Sequence, residues 1–575
     1  MIRITFLLLG VFTTNLCAQS NQEEFFGLGK IWDVHIELSR AQWVEMFPSR
    51  SQSPTRLFGE FPYQTGDVTI GSHALKNVGI RMKGNATFIA NAGTLKKSFK
   101  VDFNRNDPEQ EFLGLGKLNF QSNALDRTQI KEAVSYHIYR SCGLAAGRTC
   151  FARVYLTLGD DLKRSYLGLY TVVEQVDQRF AKRTLGSGGL IVKPQGETLE
   201  YLGPDWNEDY ENSYFPKSKA PDELTRPLIQ TAALFDEPND EAFANRIDKV
   251  MDVESFLKYT AATTILINTD SPLTVPDNYY LIVPESTRKV TWIPWDMNWS
   301  MGEYGHITGT PTVDLSILKP TEKEVFRRVL EIPKFKKRYL EIVAEFIDGP
   351  CSAEAMTSAM NRAHETVEQA LSEESARSKV VIDAPEEIGG VRRRIRALEG
   401  RDGDNFEGLL SFAQARHQSV KSQLAGELEG RSARNLFGPN DRTVRGSYFR
   451  DIIASTEVLD DSQQQFNSGD LVDSLDGIFD AIDADDSAVL ENDEFTAILR
   501  QLWKAKRRRP REVDPSEKLS RRAVADLDAD GDDRIKKSEW KAGIAAMLRY
   551  WDRDEDGSWS REELGLPSGD RLDQG

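Results

Sequence analysis

LKKSFKVDF, residues 95–103, decides how the chain is read. Leu95, Phe99, Val101 and Phe103 fall on one face of a strand at period two. Lys97 falls on that same apolar face, while Lys96 and Lys100 point the other way. An ammonium turned toward a core needs an anionic partner, either a buried carboxylate or a ligand phosphate. Lys97 is therefore the first candidate site residue.

Outward from this strand, the N-terminal third alternates as a sheet does. Trp32, Val34, Ile36 and Leu38 share a face, Ser39 with Gln42 makes a capping box for a short helix, and residues 67–83 read as a hairpin turning at Gly71-Ser72 followed by another strand. Downstream, residues 118–121 form a short strand, and Asp126 with Gln129 opens a helix striped by Ile130, Val134 and Ile138. Residues 153–193 return to strands, with a hairpin near Gly159 and a hydrophobic run ending at Glu174. From Asp222 helices dominate. DVESFLKYTAATTILI, residues 252–267, is a long apolar helix that delivers the chain to a polar loop, 268–278; two short strands then end at Asp296. The expected fold class is α+β, a mixed sheet with one inserted helix followed by a helical half.

The chemistry-bearing residues in this order are Lys97, Glu174, Asp270, Asn278 and Asp296. Phosphoryl transfer needs a lysine on nucleotide phosphates, an aspartate at the acceptor hydroxyl, and Asn and Asp oxygens for Mg²⁺. Protein kinases use the same order of parts, but here Asp270 precedes Asn278 by eight positions rather than about five, and GxGxxG, HRD and DFG are absent. Ordinary turn and cap carboxylates are the competing reading.

At GIRMKGNAT (79–87), LKKSFKVDF, NFQSNALDRTQIKEAVSYHIYRSCGL (119–144), DNYYLIV (277–283) and WIPWDMNWSMG (292–302), the sequence resembles the spore-coat H (CotH) kinase-like proteins. The resemblance covers roughly residues 30–425, and several blocks in one order make it specific. It implies an atypical protein-kinase-like fold, with a mixed-sheet N-lobe and a helical C-lobe, and transfer of phosphate from ATP to protein Ser/Thr. It further implies that Lys97 contacts phosphate, Glu174 lies at the nucleotide hinge, Asp270 is catalytic, and Asn278 and Asp296 hold Mg²⁺. Arg81 matches the family's early basic motif, and Glu132 is the implied partner of Lys97. This chain reads WDMN where the family often has WDxD, which puts Asn298 in place of a second carboxylate.

The C-terminal hundred residues carry a different chemistry. In DRDEDGSWSREE (552–563), Asp552, Asp554, Asp556 and Glu563 stand at positions 1, 3, 5 and 12 of a calcium loop, with Gly557 at position 6 and Trp559 at position 8. Asp528, Asp530, Asp532 and Glu539 repeat the pattern, with Asp533 in place of glycine. Asp483, Asp485, Ser487 and Glu494 give a third loop, in which Ala488 stands where positive φ is wanted and binding is expected to be weaker. Three such loops in register are expected to form an all-α EF-hand module. The basic run 504–511 reads as a solvated linker.

Lys and Arg number 73 against 90 Asp and Glu, a net charge of -17, which disfavours a nucleic-acid partner; a protein substrate is what the resemblance to the CotH proteins implies. Residues 1–18 have the anatomy of a secretory signal peptide, with an apolar run too short for a membrane span, so an exported chain without a transmembrane anchor is expected. Beyond Cys17 the cysteines are Cys142, Cys150 and Cys351; a local Cys142–Cys150 disulfide and three free buried thiols are equally open readings. The expected organisation is signal 1–18, kinase-like domain 30–427, linker 428–470 and EF-hand domain 471–565. The alternative to an ATP-, Mg²⁺- and Ca²⁺-using kinase is a secreted, non-catalytic surface or adhesion protein that keeps the fold.

Overall fold

Alternating strands bury their apolar faces against one another, and in this chain seven of them do so by closing a ring. In the computed structural model, β1 (Ile31–Leu38), β2 (Gln64–Ile70), β3 (His73–Lys83), β4 (Ser98–Asp102), β5 (Lys117–Gln121), β6 (Thr149–Leu158) and β7 (Leu162–Glu174) form a closed barrel in the order β1-β2-β3-β4-β5-β7-β6. The structure describes residues 22–49, 60–302, 313–375, 406–431, 465–505, 527, 534–542 and 558–560, apart from 85, 92–93, 195–198, 238, 276, 322 and 486 within them. The expected mixed sheet is thus a barrel. Its closure is the parallel pairing of β1 with β6, Ile31 opposite Phe151 through Leu38 opposite Leu158. Closure removes both sheet edges, but periodicity within a strand carries no information about which distant strand completes the ring.

Ile36, Ile80, Phe99, Val101, Leu118, Phe120, Val154 and Val172 are fully buried in the barrel core. Each such side chain contributes roughly 1.5–3 kcal/mol relative to exposure. At Gly66 the β2–β3 register shifts, and a Cβ would stand 2.6 Å from Leu38 Cδ2 and 2.8 Å from the Glu37 carbonyl oxygen, so only glycine lets β2 bulge against β1. The capping box of Ser39 and Gln42 forms as expected, at 2.8 and 3.2 Å.

A second, antiparallel sheet of β8 (Gly189–Val192), β9 (Tyr279–Pro284) and β10 (Thr291–Pro294), in the order β10-β9-β8, lies among the helices that follow. Helix α1 (Lys131–Ser141) turns Ile130, Val134 and Ile138 into the core, as its stripe predicts, and packs on β6 and β7. Helix α2 (Val253–Ile265) is capped by Asp252, whose carboxylate accepts the Ser255 N–H at 3.0 Å. It packs on β10 and on α3 (Pro333–Ile347), while α4 (Ala353–Ser375) lies on β7 and on α5 (Phe406–Leu424). Arg416 of α5, fully buried, donates to the carbonyls of Thr264 (3.0 Å), Ile265 (3.2 Å), Val313 (2.8 Å) and Leu315 (2.7 Å). Its guanidinium thereby caps the C-terminal end of α2 and fixes where the following polar loop begins.

The chain divides into two compact units at Ala433 and Arg434. In the second, β11 (Gln465–Asn467) leads into α6 (Ser468–Ile482), then β12 (Val489–Leu490), α7 (Asn492–Ala505), β13 (Ile535–Lys536) and β14 (Ser558–Ser560). Leu475, Ile478, Phe479, Leu490, Phe495 and Ile535 are buried with Trp540, whose indole N–H donates to the Leu475 carbonyl at 3.0 Å. Among the described residues no helix is long and apolar enough to cross a membrane. The expected signal segment lies outside the described residues, as does most of the expected linker.

Candidate functional site

The polar face of β3, β4 and β5, opposite the barrel core, carries a row of cations. Arg81 pairs in register with Lys100, and Lys100 with Asn119, while Lys83 stands opposite Ser98. Lys83 Nζ donates to Gln121 Oε1 at 2.9 Å, and Gln121 Nε2 donates to Glu132 Oε1 at 3.3 Å. Gln121 thus bridges a barrel lysine to the first turn of α1. The Lys83 ammonium also lies 5.4 Å from the centroid of the Trp295 ring. Burial pulls Lys83 down to about 8 against the opposing pull of the Asp296 and Glu132 charges. Burial and the Asp296 charge push Glu132 up to about 8, with Lys83 working the other way. Lys100 is also held well below the usual lysine range, by burial and then by the charges of Arg81 and Lys83.

Two loops bring acidic residues to this face. Asn278 Nδ2 donates to Asp270 Oδ2 at 2.8 Å and to the Asp270 carbonyl at 3.0 Å. The Trp295 N–H donates to the Asn278 carbonyl at 3.1 Å, and the Asp296 N–H donates to the Tyr136 hydroxyl of α1 at 3.2 Å. Asn278 (φ 62°) and Asp296 (φ 56°) are both left-handed, a conformation that Asn and Asp tolerate best after glycine. Burial, then the charges of Asp296 and Asp277, raise Asp270 to about 7, with the Asn278 hydrogen bond opposing. Asp296 is raised by burial and pulled back by Lys83 and Lys193. Lys193, just past β8, stands 4.0 Å from Asp277.

Asp270 and Asn278 are thus hydrogen-bonded, the Asp296 charge acts on both Asp270 and Glu132, and Arg81 lies beside Lys100 on the cationic face. Lys97 and Glu174 are placed differently. Lys97 is buried, as its position predicts, but its ammonium donates to the Asn91 carbonyl and lies over the rings of Phe88 (4.6 Å) and Phe47 (5.8 Å). The lysine whose charge acts on Glu132 and Asp296 is Lys83. The reason is sidedness: the apolar face of β4 lines the barrel, and the cluster lies outside it. Glu174 is buried, and its carboxylate accepts from the Arg148 backbone N–H (3.0 Å), Arg148 Nε (3.2 Å) and Nη2 (2.7 Å), and Arg183 Nε (3.1 Å) and Nη2 (2.5 Å). It closes a structural knot, with its oxygens already occupied. Lys83, Gln121 and Lys193 were missed by sequence reasoning. Lys83 had a signal, since Arg81 and Lys83 alternate with Ile80 and Met82 and so share the polar face of β3.

A hard divalent cation takes oxygen donors. The Asp296 carboxylate and the Asn278 amide oxygen, whose NH₂ is turned to Asp270, offer them. Asn298, two positions beyond Asp296, has a buried side-chain oxygen with no hydrogen-bond partner. This donor set fits Mg²⁺. The Trp292, Trp295 and Trp299 rings are buried as packing, Trp292 stacked on Tyr279 at 5.0 Å.

In the second unit, oxygens of Asp483, Asp485 and Glu494 lie within 4.8 Å of one another. Asp483 accepts the N–H groups of Ser487 (3.0 Å) and Ala488 (2.9 Å), and Glu494 those of Ala484 (2.7 Å) and Glu491 (2.9 Å). Ala488 adopts φ 64°, the left-handed conformation for which glycine was expected. Leu490 pairs with Ile535, joining the eighth positions of two expected loops. The eighth position of the third, Trp559, pairs with Phe466. Asp528, Asp530, Asp532, Asp552, Asp554, Asp556 and Glu563 lie outside the described residues.

A lysine bridged to a helix glutamate, facing an Asp–Asn–Asp set on two loops, is the arrangement of a kinase-like protein. Residues 80–420, more than half of the chain, match the family model described as CotH kinase protein, and the chain belongs to that family. Among solved structures, the chain is similar to the Helicobacter pylori proinflammatory kinase CtkA at 11% identity, over 61% of this chain and 96% of that one, with a TM-score of 0.22. No curated protein matches the chain.

Proposed function

We propose that this chain is an exported protein kinase that transfers phosphate from ATP to a protein serine or threonine, and that its C-terminal module is a calcium-binding EF-hand domain. The observation that carries the kinase reading is the convergence of Asp270, Asn278 and Asp296 with the Lys83–Gln121–Glu132 bridge. In this reading Arg81, Lys83 and Lys100 face the nucleotide phosphates, and Gln121 and Glu132 hold Lys83 in place. Asp270, raised to about 7, accepts the proton of the attacking hydroxyl as that oxygen bonds to the γ-phosphorus and ADP departs. Asn278 and Asp296 would hold Mg²⁺, which when bound offsets the negative charge of the phosphates.

One observation favours the non-catalytic alternative, the amide of Asn298 where the family often has a carboxylate. Incubation with labelled ATP and Mg²⁺ separates the two. The kinase reading expects label on the protein itself or on an added protein substrate, lost in Asp270→Ala; a wild type that transfers no label sinks it. For calcium, the motif spacing and the closed 483–494 loop support the reading. Calorimetric titration is expected to find calcium sites weakened by Glu494→Gln, and no heat above dilution would oppose it. Export predicts a mature N-terminus at Gln19, read by sequencing secreted protein; an intact Met1 on the exported chain contradicts signal cleavage.

A further inference from the structure

Cys142 and Cys351 lie 209 residues apart in the chain, yet their Sγ atoms stand 3.6 Å from each other in the core. Neither thiol has a part in the phosphate site. Cys142 is the C-cap of α1, its backbone N–H donating to the Ile138 carbonyl at 2.9 Å. Cys351 sits in the turn between α3 and α4, its N–H held by the Phe346 carbonyl at 2.8 Å. Both backbones are thus anchored where their sulfurs meet. Closing from 3.6 Å to the ~2.05 Å of a disulfide takes less than about 1 Å of movement from each sulfur. Cys150, the partner that spacing alone suggests for Cys142, is on β6 opposite Val172 and belongs to the barrel core. Cys142 lies outside that core cluster.

We infer that Cys142 and Cys351 form a disulfide when the chain folds under oxidising conditions, tying the end of α1 to the turn between α3 and α4. The bond anchors the helix that carries Glu132 and Tyr136 to the helical half. Two thiols give up two protons and two electrons to a disulfide oxidant such as oxidised glutathione, which leaves as two thiols. The hydrogen bond to Cys351, and then burial, keep the Cys142 thiol protonated in the closed core, so the exchange belongs to the folding chain. The inference does not depend on the kinase reading.

The test is to refold the full chain in a glutathione redox buffer, alkylate the free thiols and digest without reduction. The expected product is one cross-linked peptide pair holding Cys142 and Cys351, with Cys150 alkylated. Reduction, Cys142→Ser and Cys351→Ser are each expected to lower the melting temperature by roughly 5–10 °C, as loss of a cross-link over a long loop requires. Cys150→Ser is expected to keep the redox-dependent shift. Recovery of Cys142 and Cys351 both alkylated, or of Cys142 joined to Cys150, overturns the inference.

Discussion

Lys97 and Lys83 stand almost side by side on one barrel wall, since Lys83 is in register with the residue after Lys97, yet the wall separates their chemistry. On the inner side, aromatic rings and a carbonyl receive the Lys97 ammonium. On the outer side, Gln121 passes Lys83 on to Glu132, and the Asp296 charge acts on both. A lysine on an apolar face is therefore a core lysine first. The cations of the polar face, Arg81, Lys83 and Lys100, are the ones to which other elements bring carboxylates. The comparison also separates Glu132 from Glu174: one is desolvated and raised, the other is satisfied by two arginines.

The strongest way to break this division is at the outer cluster. Asp270→Ala and Asp296→Ala are each expected to lower phosphate transfer by about 10³-fold or more with little loss of thermal stability. A steady-state assay beside a melting curve checks this, and an inactive variant that also melts early would return these residues to a structural role. Glu174→Gln should do the reverse. It leaves Arg148 buried against a weakened partner and is expected to cost about 3 kcal/mol of stability in denaturant titration.

A smaller effect sharpens the electrostatics. Glu132, at about 8 in the folded protein, lies above its ordinary value, so the folded state binds more protons than the unfolded one between about 4.5 and 8. Stability without metal is therefore expected to fall as pH rises through that window, and Asp270 acts in the same direction. Lys83, lowered to about 8, contributes the opposite slope only above that value. Glu132→Gln is expected to flatten the fall in melting temperature between pH 5 and pH 8; an unchanged slope would mean that the carboxyl does not titrate there.

Much of the fold was legible because its signals are local. Alternation gave the strands from Ile31 to Leu38 and at Phe99 and Val101, the Ser39–Gln42 pair marked a helix start, and the stripe of Ile130, Val134 and Ile138 marked α1. Asp270, Asn278 and Asp296 stood out in the sequence as polar positions flanking two short strands. Barrel closure was not, because it depends on β1 meeting β6. That the Lys97 ammonium turns to the core while Lys83 meets Gln121 and Glu132 was not legible, because period two separates two faces without saying which one meets the carboxylates. The Cys142–Cys351 proximity was hidden by the separation of the two residues in the chain, whereas the short Cys142–Cys150 spacing invited a local pairing.

The measurement that bears most directly on the account is label transfer from ATP by Lys83→Met and Lys97→Met beside wild type, with Mg²⁺ present. Lys83→Met is expected to lose about 10²-fold. Lys97→Met is expected to stay within about threefold of wild type, because it removes a core interaction worth roughly 1 kcal/mol of stability. Retained transfer in Lys83→Met together with lost transfer in a folded Lys97→Met would contradict the placement of the site on the outer face of the barrel.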